Sequence, residues 1–161
     1  MTAFGIYPVA VGSGQIALSP VPGRSGSYKD DLTKVLLWGP SMVLTMTTQV
    51  ELDRMGASAL CDDLAAVGVV WAHLPVVDFG APDEAVQQQW SAICEDAAAR
   101  LALGGRVLVH CFGGCGRSGM AALRLMIELG EDPQAALARL RAVRPCAVET
   151  DAQLAWAVSG D

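Results

Sequence analysis

The residues most capable of chemistry lie in one short stretch, HCFGGCGRS. Cys111 follows an apolar, strand-like run, and Arg117 opens a helical pattern after five intervening residues, three of them glycines. Such a turn can direct its backbone N–H groups inward and, with the free N–H groups of the helix start, form a concave anion site. The pattern predicts phosphate contacts from Phe112, Gly113, Gly114, Cys115, Gly116 and Arg117.

Arg117 and Cys111 would divide the chemistry of this site. Arg117 offers a planar fork for two phosphate oxygens and stays charged at any working pH. Cys111 would lie at the base, where the helix dipole, the inward amides and Arg117 all favour a thiolate. Because a thiolate is a competent nucleophile toward phosphorus, we predict that Cys111 attacks a phosphate ester. In the alternative interpretation, Cys111 is an inert buried thiol and the glycines only shape a turn.

Cleavage of a phosphoester needs a proton for the leaving oxygen, and the stretch HLPVVDFGAPDEA offers Asp78 and Asp83. Asp78 lies in a loop after Pro75, whereas Asp83 falls in the first turn of a predicted helix, where the helix dipole alone explains an acid. We therefore favour Asp78 as the general acid, although composition alone would make it a solvated carboxylate. His73, at a strand end, is predicted to order the loop.

The spacing His-Cys, five residues, Arg-Ser resembles the signature of the cysteine-dependent protein tyrosine and dual-specificity phosphatases. Weaker similarities extend over about residues 19–156 and are nearest to the kinase-associated phosphatase (cyclin-dependent kinase inhibitor 3) type and its bacterial relatives. They are SPVPGR, TTQVEL, HLPVVDFGAPD, VHCFGGCGRSGMAA and RAVRPCAVETDAQ. The resemblance implies a metal-independent phosphomonoesterase without a cofactor. It would hydrolyse phosphotyrosine in proteins, and phosphoserine or phosphothreonine if the cleft is shallow, through a phosphocysteine intermediate.

The resemblance also implies roles for individual residues. Asp78 matches the general acid, Ser118 would hydrogen-bond the thiolate as phosphate leaves it, His110 would order the loop, and Gln153 would orient the hydrolytic water. From the residues alone, Ser118 could instead cap a backbone amide at the helix start. Gln153 could instead be a polar residue on a surface helix.

Two other functions use a similar loop. Rhodanese-like sulfurtransferases also place a cysteine in an anion-binding loop, but the Arg-Ser pair and the Asp78 loop argue against sulfur transfer. A phosphate-binding pseudophosphatase or docking module would be expected had Cys111, Arg117 or Asp78 been lost, and all three are present.

The five cysteines are odd in number and irregularly spaced, without a C-x2-C metal pair. We therefore expect reduced thiols, with neither a disulfide framework nor a zinc site. Cys115 would either form a disulfide with Cys111 under oxidation or contribute only its backbone amide, and we favour the amide. Cys146 stands where the family pattern has glycine, which leaves its backbone geometry open because a positive φ is costlier for cysteine.

Composition favours one domain over residues 1–161, with its core at about 19–156, since 52% of the residues are apolar. The net charge of −6 argues against nonspecific binding to nucleic acid or anionic membranes. The longest uncharged apolar stretch is interrupted by Gly39 and Pro40 and falls short of a membrane span, and the N-terminus lacks a secretory signal pattern. We expect a cytoplasmic protein whose partner is a phosphoprotein or phosphopeptide, with no nucleic acid or membrane involved.

Strands that alternate with helices must position these residues. The patterns predict strands at SMVLTMTT, VVWAHLPV and RVLVH, and helices at SALCDDLAAVG, APDEAVQQQWSAICEDAAARLALGG, RSGMAALRLMIELG, DPQAALARLRAVR and TDAQLAWAV. This order predicts an α/β fold with a central, mostly parallel, twisted sheet flanked by helices, and a short N-terminal hairpin.

Overall fold

A computed structural model describes residues 3–159 of the chain. Its sheet has five strands in the order β1-β2-β5-β3-β4. β1 pairs with β2 in antiparallel fashion, and the other three pairs are parallel. The predicted hairpin and mostly parallel sheet are therefore confirmed. The strands are β1 (Tyr7–Val11), β2 (Gly14–Ser19), β3 (Met42–Thr45), β4 (Val70–His73) and β5 (Arg106–His110).

Seven helices lie against this sheet in the described range, residues 3–159. They are α1 (Tyr28–Trp38), α2 (Gln49–Arg54), α3 (Leu60–Ala66), α4 (Glu84–Ala102), α5 (Gly116–Glu128), α6 (Pro133–Val143) and α7 (Asp151–Ser159). Across residues 3–159, no helix combines the length and the apolar character that crossing a bilayer requires.

The core has two parts because successive residues of a strand point to opposite faces of the sheet. On β5, Val107 and Val109 belong to the apolar cluster that includes α4–α7, whereas Leu108 belongs to the cluster that includes α1–α3. All three side chains are fully buried. The central strand β5 is thus covered on both faces, which fixes the position of the loop that follows it.

Helices α1 and α2 are absent from the sequence-based prediction, although both carry local start signals. Ser27 caps α1 by accepting a hydrogen bond from the Asp30 N–H, and Gly39 ends the helix at φ 81°. α2 begins with a capping box, in which Thr48 and Glu51 each bond the other's backbone N–H. The helices that follow Ala59 have the predicted order and approximate extents.

The structure contains a disulfide between Cys115 and Cys146, which are 31 residues apart in sequence. The expectation of reduced thiols is therefore wrong for these two cysteines. Neither alternative for Cys115 holds as stated, because its side chain is bonded to Cys146 and not to Cys111, and the residue does not contribute its backbone amide alone. Cys61, Cys94 and Cys111 are free. Cys146 does not adopt a positive φ; Val148 does, at 65°.

Candidate active site

The candidate site lies where parallel strands end. The carboxyl ends of β2, β5, β3 and β4 meet at one edge of the sheet, because Ser19 and Thr45 both lie opposite His110 and His73 lies opposite Thr45. This edge is where ligands bind in parallel α/β sheets.

The cysteine loop, residues 111–117, connects β5 to α5 and packs closely on its neighbours. A Cβ atom added at Gly114, where φ is 75°, would lie 2.7 Å from the backbone of Ser19. A Cβ atom added at Gly116 would lie 2.3 Å from a carboxylate oxygen of Glu149. Only glycine fits at Gly114, where the clash is with backbone, whereas a side chain at Gly116 would displace the ends of the Glu149 and Gln153 side chains.

Cys111 is buried, with 3% of its surface exposed. Its Sγ lies 3.2 Å from the Oγ of Ser118, and either atom can donate the hydrogen bond. The contact that the resemblance implied for Ser118 is therefore present. Since Ser118 belongs to the first turn of α5, the thiol faces the end of the helix whose free N–H groups carry partial positive charge.

The Arg117 guanidinium is buried and contacts three residues, one in α2 and two in the loop between β4 and α4. Nη1 and Nη2 donate to the two carboxylate oxygens of Glu51 at 2.8 and 2.7 Å. Nη1 also donates to the Val76 carbonyl at 2.8 Å, and Nη2 lies 3.3 Å from Asp78 Oδ1. The hydrogen bonds to Glu51 and Val76 use three of the four N–H groups of the two Nη atoms, and the contact with Asp78 is an ion pair. The fifth, on Nε, is buried and has no partner within the described chain.

The pairing of Arg117 with Glu51 sets the charge state of both groups. Burial by itself raises the pKa of Glu51, but hydrogen bonds from Arg117 and Thr48 outweigh burial and lower this pKa to about 2. Burial by itself lowers the pKa of Arg117, but Glu51, Cys111 and Asp78 together raise it above its usual value. Both groups are therefore charged at neutral pH.

The sequence analysis did not single out Glu51. The signal that could have found it is the Thr-x-x-Glu capping box, in which Glu51 Oε2 accepts from the Thr48 N–H at 2.9 Å. The same carboxylate receives the fork of Arg117. One side chain thus starts α2 and orients the arginine of the site.

Asp78 lies in the loop between β4 and α4, and 53% of its side chain is exposed. Its Oδ1 accepts a hydrogen bond from the Phe79 N–H at 3.0 Å, and Phe79 adopts a φ of 62°, which is costly for a residue with a side chain. Asp83 accepts a hydrogen bond from the Val86 N–H at the start of α4. Asp78 therefore lies beside Arg117, while Asp83 serves as a helix cap.

Gln153 is fully buried, so its interpretation as a surface residue is wrong. Its Oε1 accepts hydrogen bonds from the Glu149 and Thr150 N–H groups, and its Nε2 donates to the Gly80 carbonyl at 3.1 Å. The side chain also lies against Gly116, where an added Cβ atom would be 2.8 Å from Oε1. Gln153 thus joins the Asp78 loop to the cysteine loop.

His110 is fully buried beneath the loop, and this burial lowers its pKa to about 4. Its Nδ1 lies 3.3 Å from the Cys111 carbonyl, which can only accept, so Nδ1 carries the proton of the neutral ring. Nε2 then accepts from the Thr45 hydroxyl at 2.7 Å, and that hydroxyl accepts from Trp71 Nε1. The chain of hydrogen bonds fixes the backbone of Cys111 from below. His73 likewise contacts backbone, at the Thr47 carbonyl.

The opposite side of the cysteine loop is tied to the segment between α6 and α7. Cys115 is bonded to Cys146, and Arg144 donates to the Gly113 and Gly114 carbonyls at 2.9 and 3.1 Å. The Val148 N–H donates to the Cys115 carbonyl at 3.3 Å. Three consecutive residues of the loop, Gly113 to Cys115, are therefore anchored to this segment.

The family described as cyclin-dependent kinase inhibitor 3 matches residues 26–137 of the chain. The mouse (Mus musculus) cyclin-dependent kinase inhibitor 3 is 35% identical over 119 residues, which are 73% of this chain and 55% of the mouse protein. The chain thus spans about half the length of the curated relatives it matches.

Solved structures show the same fold. A kinase-associated phosphatase, solved with its catalytic-site cysteine changed to serine, superposes with a TM-score of 0.84 at 24% identity, covering 99% of this chain and 94% of that one. The phosphatase Tk-PTP in its active form gives a TM-score of 0.72 at 30% identity, covering 91% of each chain.

Proposed function

The chain belongs to the cyclin-dependent kinase inhibitor 3 family, and we therefore propose that it hydrolyses phosphate monoesters on proteins. Its fold and its relatives are those of cysteine-based dual-specificity phosphatases. Phosphotyrosine is the first substrate we propose, with phosphoserine and phosphothreonine next, and one domain carries the activity. The observation that supports this proposal best is the Cys111 thiol, held against Ser118 in the loop that Arg117 completes.

In the proposed first step, the Cys111 thiolate attacks phosphorus in line with the leaving oxygen. The P–S bond forms as the P–O bond breaks, and Asp78 transfers its proton to the departing oxygen. The backbone amides of the loop and Arg117 stabilise the charge on the transferring phosphoryl group. The product of this step is a phosphocysteine and the free side-chain hydroxyl of the substrate.

Arg117 has a donor ready for the phosphoryl group, since its Nε–H is buried without a partner. A phosphate oxygen that reaches Nε would satisfy that donor, and a second oxygen at Nη2 would replace the 3.3 Å contact with Asp78. Substrate binding would thereby release the Asp78 carboxyl from Arg117. The released group could then protonate the leaving oxygen.

In the second step, water attacks the phosphocysteine, Asp78 accepts the proton of that water, and the thiolate is restored with a hydrogen bond from Ser118. Gln153 is proposed to orient the water. Its Oε1 already accepts two hydrogen bonds, but its Nε2 uses only one of two N–H groups on the Gly80 carbonyl. His110 is proposed to hold the loop and to stay neutral throughout.

The test compares phosphate release from para-nitrophenyl phosphate and from phenyl phosphate, with a chelator present. We expect Cys111→Ser to abolish release from both. Asp78→Asn should slow phenyl phosphate much more than para-nitrophenyl phosphate, because the nitrophenolate leaves without a proton. Rapid quenching in an alkaline denaturant during wild-type turnover should trap phosphate on Cys111 alone.

Activity that survives Cys111→Ser, or that the chelator removes, would contradict the thiol mechanism. A wild-type protein that binds phosphopeptide but releases no phosphate would be a docking module. If Asp78→Asn lost activity equally toward the two substrates, Asp78 would not be the proton donor, but the thiol mechanism would be unaffected.

A further inference from the structure

The segment that follows β2, residues 20–26, lies directly against the cysteine loop. The Val21 N–H donates to the Phe112 carbonyl at 3.2 Å, and the Ser19 backbone leaves no room for a side chain at Gly114. Because β2 is parallel to β5, this segment emerges at the same sheet edge as Cys111. Any substrate that reaches Cys111 therefore passes close to it.

A buried aspartate holds this segment in a fixed turn. Asp31 is fully buried, and its Oδ2 accepts hydrogen bonds from the Gly23 and Ser25 N–H groups at 2.8 and 3.2 Å. The Ser25 hydroxyl donates to Asp31 Oδ1, and the Arg24 N–H donates to the Val21 carbonyl at 3.0 Å. Arg24, at the tip of the turn, is thus displayed from a backbone fixed on both sides.

The Arg24 guanidinium has no hydrogen bond or ion pair with the described part of the chain, and its Nε is buried. Its contact is with the Phe112 ring, whose centroid lies 4.4 Å from the guanidinium carbon. Seven of the nine arginines in the sequence donate to a carboxylate or a carbonyl. Arg54 is exposed to solvent, so Arg24 differs in being both half-buried and unpaired.

We propose that Arg24 is a specificity-determining residue that binds a second anionic group, a carboxylate or a phosphate, on the substrate residue beside the phosphorylated one. The inference rests on the proposed phosphatase function. Phe112 follows Cys111 in sequence, and neighbouring residues of a peptide are about 3.8 Å apart at Cα, so an adjacent side chain can reach Arg24 while the phosphate occupies the loop. A planar guanidinium with free N–H groups suits an oxyanion.

Because the net charge of the protein is −6, the positive charge of Arg24 matters for binding an acidic substrate. An acidic protein repels an acidic peptide at long range, so acidic substrates need a local positive group besides Arg117. The guanidinium of Arg24, stacked on an aromatic ring and unopposed by any carboxylate of residues 3–159, supplies one. Stacking also restrains the side chain before the substrate arrives.

The experiment uses phosphotyrosine peptides that differ only in the residue next to phosphotyrosine, which is Gln, Glu, phosphoserine or Lys. We expect kcat/KM of the wild type to be about 10-fold higher for the Glu peptide than for the Gln peptide, mainly through KM. Arg24→Gln should remove this preference, and Arg24→Glu should transfer it to the Lys peptide. Lys34→Gln, which removes an equal charge from an exposed site on α1, should retain the wild-type preference.

A preference for both acidic peptides identifies an oxyanion site, and a preference for the phosphoserine peptide alone identifies a second phosphate. A wild type that treats all four peptides alike, or an Arg24→Gln variant with the wild-type ratio, overturns the proposal. So does an Arg24→Gln variant that loses turnover of every peptide and melts at lower temperature, since Arg24 would then only support Phe112. If the wild type releases no phosphate, the proposed function fails, and the affinities of the four peptides are compared instead of their kcat/KM values. The role of Arg24 can therefore be tested even when the proposed function is wrong.

Discussion

The two sides of the cysteine loop are held by different chemistry. On one side, Arg117 lies between Glu51 and Asp78, in contacts made by full charges. On the other side, Cys115 is covalently bonded to Cys146, and Arg144 donates to backbone carbonyls. An incoming phosphate competes directly with the contacts of the first side, because it offers oxyanions to the same guanidinium. It cannot displace the covalent Cys115–Cys146 bond of the second side.

The contacts on the Cys115 side also determine the direction of the backbone N–H groups of the loop. The C=O and N–H of one peptide unit point in opposite directions, because the unit is planar and trans. With the Gly113 and Gly114 carbonyls directed to Arg144, the N–H groups of Gly114 and Cys115 are directed the other way. The comparison therefore predicts that the Arg117 side controls catalysis, whereas the Cys115 side controls stability and the geometry of the anion site.

The largest effect is expected from Arg117→Lys. Lysine keeps the charge but cannot bind Glu51 in bidentate fashion while also offering a donor to phosphate. We expect kcat/KM for para-nitrophenyl phosphate to fall by roughly 10²- to 10³-fold. Steady-state kinetics at saturating and limiting substrate will show whether the loss lies in kcat, as a contact made in the transition state requires.

The matched control is Arg124→Lys, the other buried arginine of α5, whose Nε donates to Glu128 at 2.9 Å. Its contacts lie at the end of the helix remote from Cys111. Arg124→Lys should lower stability with little change in kcat. Similar activity losses in the two variants would show that Arg117 acts through the packing of α5 and not through phosphate.

The next largest effect is expected from Cys146→Ser. Loss of a crosslink that spans 31 residues should lower the free energy of unfolding by roughly 3 to 4 kcal/mol, on the chain-entropy account. In the same variant, we expect kcat/KM to change by less than about 10-fold, since the amides stay held by Arg144. Urea denaturation with and without dithiothreitol measures the free energy of unfolding.

Cys61→Ser is the control for this prediction, because Cys61 is free and exposed. Dithiothreitol should destabilise the wild type and Cys61→Ser equally and leave Cys146→Ser unaffected. Alkylation of unreduced, unfolded wild type should label three cysteines, the free ones. Labelling of all five, or a wild type insensitive to reductant, would refute the account of the Cys115 side.

Glu51→Gln should lower the free energy of unfolding less than Cys146→Ser does, but it should lower kcat/KM more. Glutamine can accept one hydrogen bond from Arg117 but loses the charge, so we expect kcat/KM to fall roughly 10- to 100-fold through misplacement of the fork. The free energy of unfolding should fall by about 1 to 3 kcal/mol.

The stability difference between the wild type and Glu51→Gln should depend on pH, because the pKa of Glu51 is lowered from its ordinary value of 4.5 to about 2 in the folded protein. The ionised group stabilises the folded state fully above pH 4.5. Below that pH the unfolded state binds a proton that the folded state does not, so the contribution is lost as the pH falls toward 2. The wild type and Glu51→Gln should converge in stability over this window, and parallel curves would contradict the ion pair.

The same comparison separates what the sequence could predict from what it could not. The spacing of Cys111 and Arg117 is local, and alternating strands and helices specify a parallel sheet, so the loop and its position were predictable. Glu51 is distant in sequence from Arg117, and only its capping box pointed to it. The Cys115–Cys146 bond could not be inferred, because an odd cysteine count and a wide separation identify no pair.

The smallest effect is expected from Arg144→Lys. Lysine retains one charge but not the two N–H groups that bind the Gly113 and Gly114 carbonyls together. We expect a loss of about 1 kcal/mol in stability, and a few-fold weaker inhibition by inorganic phosphate, because the two peptide units can now turn their N–H groups away from the anion.

Arg141→Lys is a matched control for Arg144→Lys, because Arg141 also donates to two carbonyls, those of Ala147 and Val148, which lie outside the cysteine loop. The control should lose similar stability while keeping the wild-type inhibition constant for phosphate. If phosphate binding weakens equally in both variants, the segment before α7 acts as one unit, and the orientation of the loop amides does not depend on Arg144. If it weakens only in Arg144→Lys, the carbonyl contacts are what aim those amides at the anion.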